Sequence, residues 1–244
     1  MESSQPALFI SDLHLSPLRP EGVERFRRFI RDTASQAESL YILGDFFEAW
    51  VGDDQLADPF LAGIVGELRG LGERGVRIGF LPGNRDFLAG EGLARAAGMS
   101  LLPDPMRLSL FGVPTLLCHG DLFCTDDRAY QAFRSQVRAP AWQAAFLAKP
   151  IEARLAIAED LRLRSETAKA GKSPEIMDVN EEAVRQAFQD YGVRRIIHGH
   201  THRPARHGVA LDDAQGERWV LPDWYEGGGY LRCDERGCFA AGLS

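Results

Sequence analysis

Five short apolar runs punctuate the chain: ALFI (7–10), SLYIL (39–43), VRIGFL (76–81), PTLLC (114–118) and VRRII (193–197). Each passes within two residues into glycine or a polar block. Runs this short and this continuously apolar suit strands buried on both faces, with functional residues at their carboxyl ends. Between the early runs, VERFRRFIRDTA (23–34) and DPFLAGIVGELRGLGERG (58–75) repeat apolar residues at helical spacing, and LARAAG (93–98) reads as a shorter helix. Strand alternating with helix predicts an α/β protein. The tail differs: GVALDDAQGERWVLPDW (208–224) and GGYLRCDERGCFAAG (228–242) look like hairpins around glycine and acidic turns, which predicts a second, partly antiparallel sheet.

The polar blocks carry the chemistry. They are DLH (12–14), GD (44–45), GNRD (83–86), CHGD (118–121) and HGHTH (198–202). Asp12 and His14 lie two apart, so at a strand end both side chains can point to one side and grip one ion. Asp45 follows Gly44, and its two oxygens can bridge two ions. Asn84, His119 and His198 can complete the shell of a second ion, and His200 that of the first. Two divalent ions with two ligating carboxylates leave a charge of about +2 for a hydroxide and an anionic substrate, a balance that favours phosphoryl chemistry.

Composition sets the outer bounds. With 244 residues, 45% hydrophobic, the chain is long enough for one large core, and it is read as a single domain over 1–244. The net charge of −7 disfavours nucleic acid as a partner. The start MESSQPALFI shows no basic segment followed by a cleavable apolar one, and no apolar run approaches a bilayer span. Cys118, Cys124, Cys233 and Cys238 lack the dense spacing of a disulfide scaffold, so a reducing, cytoplasmic setting is expected.

Residues 122–172 interrupt the alternation with a long helical stretch, read as a lid insertion. From Arg128 to Lys172 there are nine Lys or Arg against four Asp or Glu, so this segment carries +5 and the rest of the chain −12. Phe133, Trp142, Phe146 and Leu147 lie beside Arg134, Arg138 and Lys149. That mixture suits an anionic amphiphile or a membrane surface. The plainer alternative is a helical hairpin packed on the core by those aromatics.

The order of the five blocks, from Asp12 to His202, resembles the calcineurin-like metallophosphoesterase superfamily. The resemblance implies a sandwich of two mixed β-sheets flanked by helices, with metals at strand ends. Many members have histidine after the GN asparagine, where this chain has Arg85. Arginine holds its proton too tightly to be a general acid, but it clamps phosphate oxygens. Arg85 therefore points to a leaving group that is itself a phosphate.

More closely, ISDLHL (10–15), LGDFFEAWVGDD (43–54), LPGNRDFL (81–88), HGDLFCTDD (119–127), KSPEIMDVN (172–180) and HGHTHRP (198–204) resemble the UDP-2,3-diacylglucosamine diphosphatase family of the lipid A pathway in Gram-negative bacteria. The activity implied is attack by metal-activated water on the α-phosphorus of UDP-2,3-diacylglucosamine, giving UMP and 2,3-diacylglucosamine 1-phosphate. The family uses two Mn²⁺ ions and associates peripherally with the cytoplasmic face of the inner membrane, which implies membrane contact through the lid and no obligate protein partner. Carried over by position, Asp12, His14, Asp45 and His200 hold one ion, and Asp45, Asn84, His119 and His198 the other. Substrate contacts fall on Asn84, Arg85, Asp127, Ser165, Lys169, Lys172 and His198, and the catalytic set is Arg85, Asn84, His119 and Asp45. The alternative is a metal-dependent phosphodiesterase or phosphatase of broader specificity.

Several residues have plainer roles. Asp86 and Asp121 are expected to fix ligands as hydrogen-bond acceptors. His202 is structural or orients a ligand through its ring, His207 is an exposed loop residue, and Cys118 is a buried thiol. Cys233 and Cys238 are too few for a zinc site of their own.

Overall fold

The first apolar run becomes β1 (Ala7–Ile10) in the computed structural model, which describes residues 5–170, 176–211, 214–225 and 227–243. All four of its residues are buried, Ala7 and Phe9 toward a second sheet, Leu8 and Ile10 toward helices. β1 lies parallel to β2 (Ser39–Leu43), β2 to β3 (Arg77–Leu81) and β3 to the short β4 (Ser100–Leu101). The second sheet holds β5 (Met106–Leu110), β6 (Val113–Leu117), β7 (Arg195–His198), β8 (Ala205–Ala210) and β9 (Gln215–Val220) in the order β5-β6-β7-β9-β8. Here β6, β7 and β9 run parallel, and β5 and β8 run antiparallel at the two edges. Phe9, Leu43, Leu81, Leu117, Ile197, Trp219 and Leu231 form the apolar layer between the sheets. The two mixed sheets flanked by helices match the expected sandwich.

The helices follow from their spacing. α1 (Pro20–Asp32) opens on proline and buries Val23, Phe26, Phe29 and Ile30 on one stripe. α2 (Pro59–Glu73) is capped by Asp58, whose carboxylate accepts from the Phe60 and Leu61 amides, and it buries Leu61, Ile64, Val65, Leu68 and Leu71. With α3 (Glu91–Ala97) these helices cover the first sheet. α7 (Glu181–Tyr191) covers the second through Val184, Ala187 and Phe188.

Three tail expectations need correction. Both hairpins form, but only β8–β9 extends the second sheet; β10 (Gly229–Asp234) and β11 (Gly237–Gly242) add to the first, with β10 antiparallel to β1. Their register sets Cys233 directly opposite Cys238, Cα to Cα 4.1 Å, and the two form a disulfide. A spacing of five residues does not disclose that pairing until the hairpin register is known. Cys118 and Cys124 are free and buried. His207 lies on β8, an exposed edge strand, rather than in a loop.

The insert forms α4 (Arg128–Arg138), α5 (Pro140–Leu147) and α6 (Ile151–Ala170). Its large apolar side chains divide between the two expected uses. Phe146 is buried and stacks on Trp142 at 4.8 Å, and both pack on the core cluster of the first sheet, whereas Leu147, Leu155 and Leu163 stay exposed at 43%, 42% and 52%. Buried Arg154 pins α6, donating to the Val51 carbonyl at 2.6 Å and pairing with Asp54.

Truncating Phe9 to alanine removes a fully buried ring stacked on Tyr41 and should lower unfolding stability by about 3–5 kcal/mol. Phe239→Ala, on the exposed edge strand, should stay within about 0.5 kcal/mol in the same urea titration.

Candidate metal centre

The five blocks leave the carboxyl ends of β1, β2, β3, β6 and β7 and turn sharply there. Among the described residues six non-glycine positions have left-handed backbone, and five belong to these blocks: Asp12 (φ 56°), His14 (50°), Asp45 (52°), His200 (68°) and His202 (54°). Each such residue costs about 1–3 kcal/mol and persists only where its surroundings enforce it. Here the enforcement is backbone hydrogen bonding between blocks. Asp12 N donates to Gly44 O at 3.1 Å and His14 N to Asp45 O at 2.9 Å. Asp86, fully buried, accepts from the amides of Gly83 (2.7 Å), Asp45 (3.2 Å) and Phe46 (2.7 Å), so it joins the exits of β2 and β3. Gly44 (φ 85°) must be glycine twice over, since a Cβ there would meet Gly83 Cα at 2.5 Å and His119 Nδ1 at 2.7 Å.

These turns bring ligand-capable atoms together. His119 Nε2 lies 3.0 Å from Asn84 Oδ1, 3.2 Å from His200 Nδ1 and 3.7 Å from Asp45 Oδ1. His14 Nε2 lies 3.8 Å from Asp45 Oδ2. Among the described residues two groups have donor atoms all within 4.8 Å of one another: Asp12, Asp45 and His119, and Asp12, His14 and His202. Among the described residues Asp12 Oδ1 and both ring nitrogens of His14 are buried without a hydrogen-bond partner. Buried polar atoms left unpaired are costly, and a cation accepting their lone pairs removes that cost. The chain therefore fits two divalent ions held by nitrogen and oxygen.

Electrostatics agree. Burial, with Asp86 and Asp12 nearby, pushes the Asp45 carboxyl up to about 7. Burial would lower His119, but Asp45, Asp12 and Asp121 outweigh it and raise the imidazole to about 9. Burial lowers His14 to about 3, which keeps its ring neutral at neutral pH, the form that coordinates. Asp45 and His119 thus hold a proton between them that a bound cation must displace.

The family pattern of calcineurin-like phosphoesterases matches residues 6–204. The chain belongs to the calcineurin-like phosphoesterase family. The UDP-2,3-diacylglucosamine hydrolase of Aromatoleum aromaticum is 49% identical to it over 231 residues, 95% of this chain and 94% of that protein. The hydrolase of the same name from Xanthomonas campestris is 50% identical over 237 residues, 94% of this chain and 96% of its own length. Among solved structures, a novel archaeal phosphodiesterase shares the fold at a TM-score of 0.50 and 12% identity, covering 98% of this chain and 99% of its own. That likeness concerns the fold alone.

Six of the seven ligand candidates in this phosphoesterase converge: Asp12, His14, Asp45, Asn84, His119 and His200. His198 stands apart, its Nδ1 at Gly199 O (2.9 Å) and its Nε2 at Arg218 Nη1 (3.1 Å). Arg85 lies with Nη1 4.0 Å from Glu48 Oε1, an oxygen that accepts a hydrogen bond from Arg162 of α6 at 3.1 Å. Asp127 caps α4 by accepting from the Tyr130 amide, Ser165 is exposed on α6, and Lys169 lies on the same helix. Lys172 and the side chain of Lys169 lie outside the described residues.

Sequence reading missed Glu48, Arg218 and Tyr225, and it left open the role of His202, whose Nε2 lies 3.3 Å from Asp12 Oδ1. Glu48 follows Asp45 by three residues within the quoted segment and had a signal in its position; the other two arrive from distant segments. Asp121 accepts from Tyr130 Oη and Arg134 Nε, both at 2.8 Å, and so ties α4 to the centre.

Because protons on His119 and Asp45 compete with the cation, Mn²⁺ affinity should rise with pH from about 6 to about 9. Calorimetry at pH 7.5 in buffers of different ionisation enthalpy should register proton release on binding.

Proposed function

We propose that this phosphoesterase hydrolyses the diphosphate of UDP-2,3-diacylglucosamine to UMP and 2,3-diacylglucosamine 1-phosphate, a step of lipid A biosynthesis. The observation that carries this reading is the identity of nearly one half, across almost the whole length of both partners, to UDP-2,3-diacylglucosamine hydrolases. In this reading Asp12, His14, Asp45 and His200 hold one Mn²⁺, and Asp45, Asn84, His119 and His198 the other. His198 joins by giving up Gly199 O or Arg218 as a partner. The ions when bound supply charge neutralisation at the phosphates and lower the pKa of water.

The chain's own residues do the remainder. Arg85, resting near Glu48, exchanges that carboxylate for phosphate oxygens and stabilises charge developing on them. Water attacks the α-phosphorus, the bond from that phosphorus to the bridging oxygen breaks, and the electron pair departs on the lipid-sugar phosphate. A phosphate leaving group is weakly basic, so an arginine that cannot release its proton suffices. Asp127, Ser165, Lys169 and Lys172 bind the polar parts of the lipid half, with Asn84, Arg85 and His198 at the phosphates. Leu155 and Leu163, exposed on α6, meet acyl chains or the membrane surface, and the protein works peripherally at the cytoplasmic face of the inner membrane. Among the described residues no helix is long and apolar enough to cross a membrane.

Hydrolysis of the lipid nucleotide by the Mn²⁺-loaded protein in ¹⁸O-labelled water should place the label in UMP. Label in the lipid phosphate would reverse the leaving group, and turnover of bis(p-nitrophenyl) phosphate without lipid-nucleotide cleavage would favour a phosphodiesterase of broader specificity. Arg85→Ala should lower kcat by about 10²–10³-fold while the thermal midpoint holds. Leu155→Glu with Leu163→Glu should reduce cosedimentation with anionic vesicles and leave hydrolysis of detergent-dispersed substrate largely intact.

A further inference from the structure

A histidine that binds a metal through one ring nitrogen is ordinarily oriented by a hydrogen bond from the other to a carbonyl or carboxylate. His119 has that arrangement, with Nδ1 at Leu43 O, 2.9 Å away. His14 does not. Both of its ring nitrogens lack a hydrogen-bond partner among the described residues, and the nearest carboxylate to Nδ1, Glu48, is 3.8 Å away. What covers the ring instead is Tyr225, stacked on it at 5.0 Å between centroids and 30° between planes.

Tyr225 is itself held. The Arg19 guanidinium lies 4.1 Å from the centre of its ring, and Arg19 Nη2 donates to Trp224 O at 3.1 Å. Arg25 donates to the same carbonyl at 3.2 Å. Trp224, fully buried, donates its backbone N–H to Asp12 O at 3.1 Å, and the Tyr225 amide donates to Asp223 Oδ1 at 2.9 Å. The segment after β9 is thereby fastened to the DLH turn at both backbone and ring.

We propose that Tyr225, backed by Arg19, is a positioning residue that sets the His14 ring and thereby the affinity of the ion held by Asp12, His14, Asp45 and His200. It acts by stacking, so the ring and not the hydroxyl is required. The second ion, whose imidazole His119 is oriented by Leu43 O, does not depend on it. The inference rests on the two-metal reading of the site.

The test is Mn²⁺ binding to the full chain, followed by calorimetry and by the electron paramagnetic resonance spectrum of the loaded protein. Wild type should bind two ions with a coupled dinuclear spectrum. Tyr225→Ala should bind one ion unchanged and the other about 10–100-fold more weakly, and at limiting Mn²⁺ it should show an isolated-ion spectrum. Arg19→Ala should shift the same ion in the same direction, and Tyr225→Phe should behave as wild type. Tyr225 is 44% exposed, and circular dichroism should confirm that its variants fold. Unchanged affinities in Tyr225→Ala, an equal weakening of both ions, or failure of Tyr225→Phe to restore binding would overturn the positioning role and leave the two-metal reading intact. A wild-type chain that takes up no Mn²⁺ would overturn both.

Discussion

One buried carboxylate holds the exits of two strands in register with each other. Asp86 accepts backbone N–H groups from Gly83 on its own turn and from Asp45 and Phe46 on the neighbouring one. A buried anion is tolerable when several N–H dipoles converge on it, and its burial raises its pKa while those hydrogen bonds lower it. With the two turns locked, Asp45 can stay in its left-handed conformation, offer one oxygen to the Arg85 amide at 2.8 Å and face Asp12, His14 and His119. The remaining turns are then tied to this pair, His14 N to Asp45 O and the His200 amide to Asp12 Oδ2. Strain at the strand ends is thus sustained by the sheets beneath.

The insert is attached to this centre by its charges. Arg134 bridges the buried carboxylates Asp104 and Asp121, and Asp104 in turn accepts the His119 backbone N–H. Arg138 donates to Gly83 O at 3.1 Å, Arg154 holds Asp54 and Val51 O, and Arg162 holds Glu48 beside Arg85 and His14. The positive bias from Arg128 to Lys172 therefore reflects fastening of helices to acidic positions of the core at least as much as a surface for anions. Arg162 is placed for both, since it reaches the carboxylate that neighbours Arg85.

Much of the site was legible because its parts are local. A strand end followed by DLH, GD or HGH is visible within a few residues, and parallel pairing of β1, β2 and β3 then sets the blocks side by side. The opaque parts come from far along the chain or depend on register. Tyr225 reaches His14 across 211 positions, Arg218 reaches His198 from a parallel neighbour strand, and Cys233 meets Cys238 through the register of their hairpin. Trp142 and Phe146 suit a lid or a core by sequence alone, and it is the contact of Trp142 with Phe87, its stacking on Phe146 and their packing on the first sheet's helices that place them with the core. Periodicity reports which residues are apolar, not which neighbour they meet.

The central claim is that left-handed strand-end turns gather the ligands around two ions sharing Asp45. Anomalous scattering at the manganese edge from crystals grown with Mn²⁺ addresses it most directly. Two peaks flanking the Asp45 carboxylate are predicted, one beside His14 and one beside His119. A single peak, or two that leave Asp45 outside both coordination shells, would contradict it.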